Sequence, residues 1–199
     1  MKGLVLLHGR GGSARDMRGL VPHLGADTLS IAAPDAPGQS WWPTSFLAPS
    51  VEMEPWVAQG LSAVDAAVAE LALPREEIAM VGFSQGACLA LEYVARRGAG
   101  LGAVIALSGG LVGTADAGEA DPALYGARGK AFDYDIDLGG LRGLITCHAQ
   151  DPHIPLKRAS KSAEVLRGLG ADIQMITHPG PGHQPMPDGL AAARDMITA

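Results

Sequence analysis

The stretch IAMVGFSQGACLALEYVARR, residues 78–97, joins a short apolar run to a helical run through the pentapeptide Gly82-Phe83-Ser84-Gln85-Gly86. Residues 78–81 are typical of a buried strand that leads directly into the pentapeptide. A glycine on each side of the serine removes Cβ atoms that would collide in a sharp turn between strand and helix. Such glycines alone can simply make a tight turn, but between a strand and a helix they predict a nucleophilic Ser84 exposed above a sheet.

The chain on either side alternates short apolar runs with longer amphipathic runs. This alternation predicts an α/β protein with a mostly parallel central sheet of about six strands and helices on both faces. The strands are predicted at residues 3–7, 28–33, 77–82, 102–107, 141–147 and 172–177. Helices are predicted over residues 54–71 and after Ser13, Ser84, Pro155 and Pro187.

Two long irregular stretches interrupt the alternation. Residues 34–55 carry aromatic side chains, and residues 109–140 are rich in Gly, Ala and Asp. Long irregular loops in a compact domain are commonly functional. No internal repeat or linker divides the chain, so we expect residues 1–199 to form a single domain with both stretches near its active site.

A serine nucleophile needs an imidazole base, and the base needs a carboxylate to orient it. Asp151 follows the predicted strand at residues 141–147, and Pro152 favours a turn that holds its carboxylate at the sheet edge. His183 follows the last predicted strand in a loop rich in Pro and Gly. We therefore predict Ser84, Asp151 and His183 as the catalytic residues.

Several other side chains compete for these roles. Four other carboxylates could orient the base, and we expect each of them to be structural or solvated instead: Asp133, Asp135, Asp137 and Asp172. His178, at the end of the last strand, is the rival base. His148 and His153 beside Asp151 are also metal-ligand types, but Pro152 makes convergence awkward and further ligands are missing, so neither a metal site nor a cofactor is predicted.

The loop after the first strand, LHGRGG at residues 7–12, offers closely spaced glycines. Such a loop can aim backbone N–H groups at a developing oxyanion, and the residue after the nucleophile supplies a second donor. The amides of Arg10 and Gln85 are therefore predicted to form the oxyanion hole, with His8 bracing the loop. The glycine spacing fits neither dinucleotide nor phosphate-loop motifs, which disfavours nucleotide binding.

Together, LHGRG at residues 7–11, GFSQGA at residues 82–87, DPHIP at residues 151–155 and Gly182-His183 resemble the phospholipase/carboxylesterase family of α/β-hydrolases, which includes acyl-protein thioesterases. The resemblance spans nearly the whole chain. It implies a minimal α/β-hydrolase fold, because the chain begins at the family's third strand. It also implies the triad and oxyanion hole above, although the spacing from His148 to Asp151 is one residue shorter than is usual in the family.

The resemblance implies that the loop after the second strand lines the substrate pocket. Trp41, Trp42 and Phe46 in that loop are predicted to contact a small-molecule ester, with core packing as the alternative for the two tryptophans. We expect a carboxylesterase of small soluble esters. The alternatives are an acyl-protein thioesterase or lysophospholipase-type activity on the same residues, and a ligand-binding relative without turnover.

Composition excludes several other classes of protein. The chain has 199 residues, 47% of them hydrophobic, and 15 basic against 21 acidic side chains give a net charge of −6. This balance makes nucleic acid an improbable partner. The first apolar run is too short for a signal peptide, and no segment approaches about 18 apolar residues. A cytoplasmic protein without stable membrane association is therefore expected, and a homodimer stays open.

Overall fold

The computed structural model describes residues 1–116 and 129–199. Its strands are β1 (Gly3–Leu7), β2 (Ser30–Ala32), β3 (Ile78–Phe83), β4 (Ala103–Leu107), β5 (Arg142–Gln150) and β6 (Asp172–Pro181). Every neighbouring pair runs parallel, and the order across the sheet is β2-β1-β3-β4-β5-β6. The predicted parallel sheet of about six strands is confirmed, with β5 and β6 longer than predicted.

The helices cover both faces of this sheet, as predicted. They are α1 (Ala14–Arg18), α2 (Ser50–Leu71), α3 (Gln85–Arg97), α4 (Leu156–Gly168) and α5 (Pro187–Thr198), with short 3-10 turns at Pro37–Gln39 and Arg75–Glu77. Residues of α2, α3 and α4 share one apolar core, whereas residues of α1 and α5 share the other. The chain therefore folds into three layers with a core on each side of the sheet.

The inner strands β1, β3 and β4 are apolar throughout because both of their faces are buried. In β1, Val5 and Leu7 point into the core with α2 and α3, whereas Leu4 and Leu6 point into the core with α1 and α5. Successive side chains of a strand point to opposite faces, so a strand covered on both sides needs an apolar residue at every position. This explains why the sequence shows continuous apolar runs rather than alternation.

Helix α2 begins at Ser50, four residues before the predicted start at residue 54. The predicted start placed Pro55 in the first turn, where proline is tolerated because its missing N–H has no helical acceptor, whereas in the structure Pro55 lies further inside the helix. Contacts with a distant segment hold the four additional residues at the start of the helix. The Ser50 amide and hydroxyl both donate to the carbonyl oxygen of Thr114, and the Val51 amide donates to the Asp116 carboxylate.

The irregular stretch at residues 109–140 is described in part, because residues 117–128 lie outside the described residues. Its described residues pack against the face that carries α3 and α4. Leu111 and Leu138 are fully buried in that core, and the Leu138 amide donates to the Leu169 carbonyl at the end of α4. Within the part of the chain described, no helix is both long and apolar enough to cross a membrane.

Parallel strands all end at the same edge of a sheet, and this edge collects the predicted site residues. Arg10 follows β1, Ser84 follows β3, Asp151 follows β5 and His183 follows β6. Asp172, in contrast, is the first residue of β6 and lies at the opposite edge. The carboxyl edge of an open α/β sheet is where ligands bind in this class of fold.

Candidate active site

Ser84 lies in a strained turn between β3 and α3. Its φ of 52° and ψ of −117° are unusual for a residue with a side chain, and such strain costs on the order of 1–3 kcal/mol. A Cβ atom on Gly82 would lie 2.3 Å from the carbonyl oxygen of Gly86. The turn therefore requires glycine at residue 82. It presents the Ser84 hydroxyl at the carboxyl edge of the sheet.

The structure brings Ser84, His183 and Asp151 into one chain of hydrogen bonds. His183 Nε2 lies 2.7 Å from Ser84 Oγ, and His183 Nδ1 lies 2.8 Å from Asp151 Oδ2. When Nδ1–H donates to the carboxylate, Nε2 is the nitrogen left to accept the serine proton. The order nucleophile, base and orienting acid is the arrangement of a serine hydrolase triad.

Asp151 is held as an ionised acceptor. Its side chain is 0% exposed, Oδ2 faces His183, and Oδ1 accepts hydrogen bonds of 2.8 Å from the amides of His153 and Ile154. Burial by itself would raise the pKa of this carboxyl. The hydrogen bonds from His183 and from the two amides outweigh burial, so the Asp151 pKa lies below its usual value.

The loop that carries His183 is supported from several sides. Ser108 Oγ donates to the His183 carbonyl oxygen at 3.0 Å, and His148 Nε2 lies 3.2 Å from the carbonyl oxygen of Gln184. The rings of His153 and Phe83 lie 4.8 and 5.3 Å from the His183 ring, measured between centroids. These contacts fix the imidazole over Ser84, a precondition for efficient proton transfer.

The competing residues lie elsewhere. His178 is buried and faces Asp188, with Nδ1 3.4 Å from the carboxylate. Asp137 accepts a hydrogen bond from the Gly139 amide. Asp133 and Asp135 are exposed. Among the described residues, no cluster of three or more metal-ligating side chains is present, and both oxygens of Asp151 are already occupied by hydrogen bonds.

Two backbone amides stand next to the nucleophile as candidate oxyanion donors. Gln85 is the first residue of α3, where the amides of the first turn lack helical acceptors. The loop after β1 packs against the turn, since a Cβ on Gly9 would lie 3.2 Å from the Ser84 Cβ. Neither the Arg10 amide nor the Gln85 amide donates a hydrogen bond to another described residue. Both N–H groups are thus available to a developing negative charge.

His8 braces this loop from below, in the position expected for it. Nδ1 lies 2.7 Å from the Gly9 carbonyl oxygen, to which it donates, and Nε2 accepts the amide of Ala36 at 2.9 Å. One ring nitrogen donates and the other accepts, which is the pattern of a neutral imidazole. The ring therefore ties the loop after β1 to the loop after β2.

A cavity of about 870 Å³ opens above Ser84. Phe46 lines it, as predicted, together with Leu47, Phe83 and residues of the segments that follow β1, β2, β3, β5 and β6. Trp42 also borders the cavity, but its side chain is 1% exposed and packs mainly in the core, which is the alternative predicted for the two tryptophans. Trp41 was also predicted to line it, and here the structure differs. Its side chain is buried beside the His8 ring, and its indole N–H donates to the His8 carbonyl oxygen at 2.9 Å. A buried indole N–H needs a hydrogen-bond acceptor, and the His8 carbonyl oxygen is that acceptor. The Trp41 side chain therefore lies behind the cavity wall and not in the cavity.

Sequence reasoning missed the two side chains that hold the aromatic loop in place. Gln85 accepts the Trp41 amide at 2.9 Å through Oε1 and donates through Nε2 to the Trp42 carbonyl at 2.8 Å. Arg10 donates to the carbonyl oxygens of Pro43, at 2.9 Å, and Thr44. The signal for Gln85 is an amide side chain in the apolar run that begins the helix, where a buried amide must find partners.

One further nucleophile lies in the wall of the cavity. Cys88, one turn after Ser84 in α3, is fully buried, and its burial raises the pKa of the thiol to about 12. A thiol with such a pKa stays protonated at neutral pH and is a weak nucleophile. Ser84 is therefore the better candidate for attack.

Comparisons with known proteins show the family of the chain and its fold. Residues 3–130 match the family described as alpha/beta hydrolase fold. A crystal structure of a phospholipase/carboxylesterase from Dyadobacter fermentans is 34% identical, with a TM-score of 0.88, over all of this chain and 90% of that one. The crystal structure of esterase PE8 is 25% identical, with a TM-score of 0.74, over 99% of this chain and 91% of that one.

A curated relative is named as a thioesterase. Acyl-protein thioesterase 1 of Gibberella zeae is 31% identical over 119 residues, which is 58% of this chain. The aligned part spans 44% of that thioesterase, less than half of its length.

Proposed function

The chain belongs to the phospholipase/carboxylesterase family of α/β-hydrolases, and on that premise we propose that it is a serine carboxylesterase of small carboxylic esters. The observation that carries the proposal is the hydrogen-bonded chain from Ser84 through His183 to Asp151 at the floor of an open cavity. In the proposed reaction no cofactor takes part, because the three side chains and two backbone amides supply every group that acyl transfer needs.

Acylation begins when an ester carbonyl lies over Ser84. His183 Nε2 takes the hydroxyl proton as Oγ attacks the carbonyl carbon, and the Asp151 carboxylate stabilises the imidazolium that forms. The oxyanion of the tetrahedral intermediate accepts hydrogen bonds from the Arg10 and Gln85 amides. His183 then returns its proton to the departing alkoxide, which leaves as an alcohol and leaves the acyl group on Ser84.

Deacylation repeats the sequence with water. His183 takes a proton from a water molecule, whose oxygen attacks the acyl carbon, and the second tetrahedral intermediate uses the same two amides. Its collapse returns the proton to Ser84 Oγ and releases the carboxylic acid. The free enzyme is restored without any external reactant other than water.

The walls of the cavity support an ester with an apolar or aromatic part. Phe46, Leu47 and Phe83 provide flat or branched apolar surface, and Trp42, which is 1% exposed, packs behind them. The cavity volume is in the range of small-molecule sites. An open cavity of this kind suits a dissolved ester that enters and leaves directly.

The second candidate is an acyl-protein thioesterase or lysophospholipase-type enzyme that uses the same triad. The thioesterase from Gibberella zeae favours it, although the match spans less than half of that protein. The chemistry is identical, so acyl chain length separates the two candidates. Fastest turnover of short p-nitrophenyl esters supports the carboxylesterase, and a clear preference for palmitoyl esters or thioesters would reverse the order.

The direct test is intact-mass analysis after treatment with a fluorophosphonate. We expect a single adduct on the wild type and none on Ser84→Ala, together with loss of ester turnover at an unchanged circular dichroism spectrum. A folded wild-type protein that acquires no adduct would favour the third candidate, a ligand-binding relative that keeps the fold without catalysis.

A further inference from the structure

The Arg10 side chain occupies the cavity wall in a fixed position. It is exposed and lines the cavity, and its guanidinium donates to the carbonyl oxygens of Pro43 and Thr44. A guanidinium has five N–H donors in one plane. Among the described residues these two carbonyls are its hydrogen-bond acceptors, which leaves the remaining donors available to a ligand.

Arg10 is also the single side chain with a permanent charge among the described residues that line the cavity. The other lining side chains are apolar, or carry hydroxyl, amide, thiol or imidazole groups. The nearby Asp151 carboxylate is 0% exposed and is satisfied by His183 and two amides. The amino end of α3, at Gln85, adds a partial positive charge on the same side.

This local charge contrasts with that of the whole chain, which is −6. A net negative chain repels anions in general, so a cation at the cavity provides a local attraction for a substrate anion that the chain as a whole does not. Arg10 supplies both a candidate oxyanion amide and the guanidinium. The charge therefore lies within one side-chain length of the reacting carbonyl.

We propose that the cavity selects esters that carry a carboxylate in their alcohol or acyl part, and that the Arg10 guanidinium binds this carboxylate. The inference rests on the proposed esterase activity and names its substrate class. Phe46, Leu47 and Phe83 contact the hydrocarbon or aromatic part, while the free donors of Arg10 form charge-assisted hydrogen bonds with the anion. Esters of hydroxy acids and half-esters of dicarboxylic acids have this combination of groups.

Matched substrate pairs test the proposal. The first pair is 4-acetoxyphenylacetate and 4-acetoxyphenylacetamide, which share the acetyl group and differ in charge on the phenol part. The second is monoethyl adipate and ethyl adipamate, which differ in charge on the acyl part. In low salt we expect kcat/KM to favour the anion about fivefold in at least one pair, as for one partly exposed ion pair. Added salt reduces this preference.

Two variants assign the preference to Arg10. Arg10→Gln removes the charge, and the ratio of the two kcat/KM values is expected to fall to about one, whereas Arg10→Lys keeps part of the preference. Loss of the Arg10 side chain can also shift the loop that it holds. Such a shift affects both substrates of a pair alike, so it cancels in the ratio of their two kcat/KM values.

The outcomes separate this inference from the proposed function. Equal turnover of both members in both pairs, or a preference that survives Arg10→Gln, would overturn the carboxylate selectivity and leave the esterase intact. Absence of turnover with all four substrates would overturn the carboxylate selectivity, and if the protein also acquires no fluorophosphonate adduct, it would overturn the proposed function as well.

Discussion

Gly86 shows how one close contact can restrict a position to glycine. A Cβ atom there would lie 2.1 Å from the Leu7 carbonyl oxygen, closer than any non-bonded pair can approach. Leu7 ends β1, which is hydrogen-bonded along its length to β3, so the carbonyl cannot retreat without disturbing the sheet. Gly86 is therefore required by the packing of α3 on β1 and, through it, by the position of Ser84.

Substitution of this glycine is expected to be costly. Gly86→Ala should destabilise the fold by about 3 kcal/mol, because the clash is with backbone atoms that cannot move. Gly168, the last residue of α4, is the matched control. A Cβ there meets no atom within 4 Å, so Gly168→Ala should stay within about 0.5 kcal/mol of wild type. Urea unfolding measures both, and similar midpoints for the two variants would refute the packing argument.

At the scale of elements, a buried carboxylate joins α3 to residues 109–140. Glu92 is 0% exposed; its oxygens accept hydrogen bonds from Arg96 at 2.8 Å, from the Val112 amide at 3.1 Å and from the Tyr134 hydroxyl at 3.0 Å. Lys130 Nζ lies 3.6 Å from the same carboxylate, and burial lowers the pKa of this lysine. The irregular stretch is thus anchored by a buried charge as well as by apolar packing.

Removal of this charge should loosen the anchor. Glu92→Gln is expected to destabilise the protein by about 3 kcal/mol, because it leaves the buried Lys130 ammonium without its counter-charge. Glu54→Gln removes an exposed carboxylate that pairs with the same Arg96 and should cost less than about 1 kcal/mol. Thermal unfolding compares the two, and equal losses of stability would show that burial does not set the strength of the Glu92 interactions.

At the scale of the whole molecule, the candidate site exists only because four separate strands end at the same edge of the sheet. The loops after β1, β3, β5 and β6 supply its groups, and Ser84 and His183 are 99 residues apart along the chain. The carboxylate that links these parts, Asp151, is buried and has a lowered pKa. The stability of the molecule is consequently coupled to the charge of one side chain.

This coupling predicts the acid sensitivity of the fold. A carboxyl whose pKa is lower in the folded state contributes stability above its unfolded pKa of about 4 and loses that contribution as the pH falls through the folded value. Asp151→Asn removes the titrating group. The difference in urea midpoint between wild type and Asp151→Asn should be largest near pH 6 and shrink towards pH 3. A difference that does not change with pH would contradict the argument.

Much of the fold followed from local patterns. The six strands are confirmed, and the inner ones show continuous apolar runs because both of their faces are buried. Helices α1, α3 and α4 begin directly after Ser13, Ser84 and Pro155, as predicted, and α5 begins at Pro187 itself, one residue earlier than predicted. The glycines around Ser84 report a steric constraint that acts within a few residues. Local sequence therefore predicted the sheet, the turn and the placement of Ser84, and the order of Ser84, Asp151 and His183 along the chain was consistent with one site.

The sequence by itself thus determined the parallel sheet and the three candidate catalytic residues, since both depend on local periodicity and on motifs at strand ends. Tertiary structure decided the start of α2 at Ser50, the place of Trp41 behind the cavity wall and the burial of Glu92. Each of these results from contacts between segments far apart in sequence, Ser50 with Thr114 and Trp41 with Gln85 among them. Such contacts satisfy buried polar groups, and their partners are known only once the chain is folded.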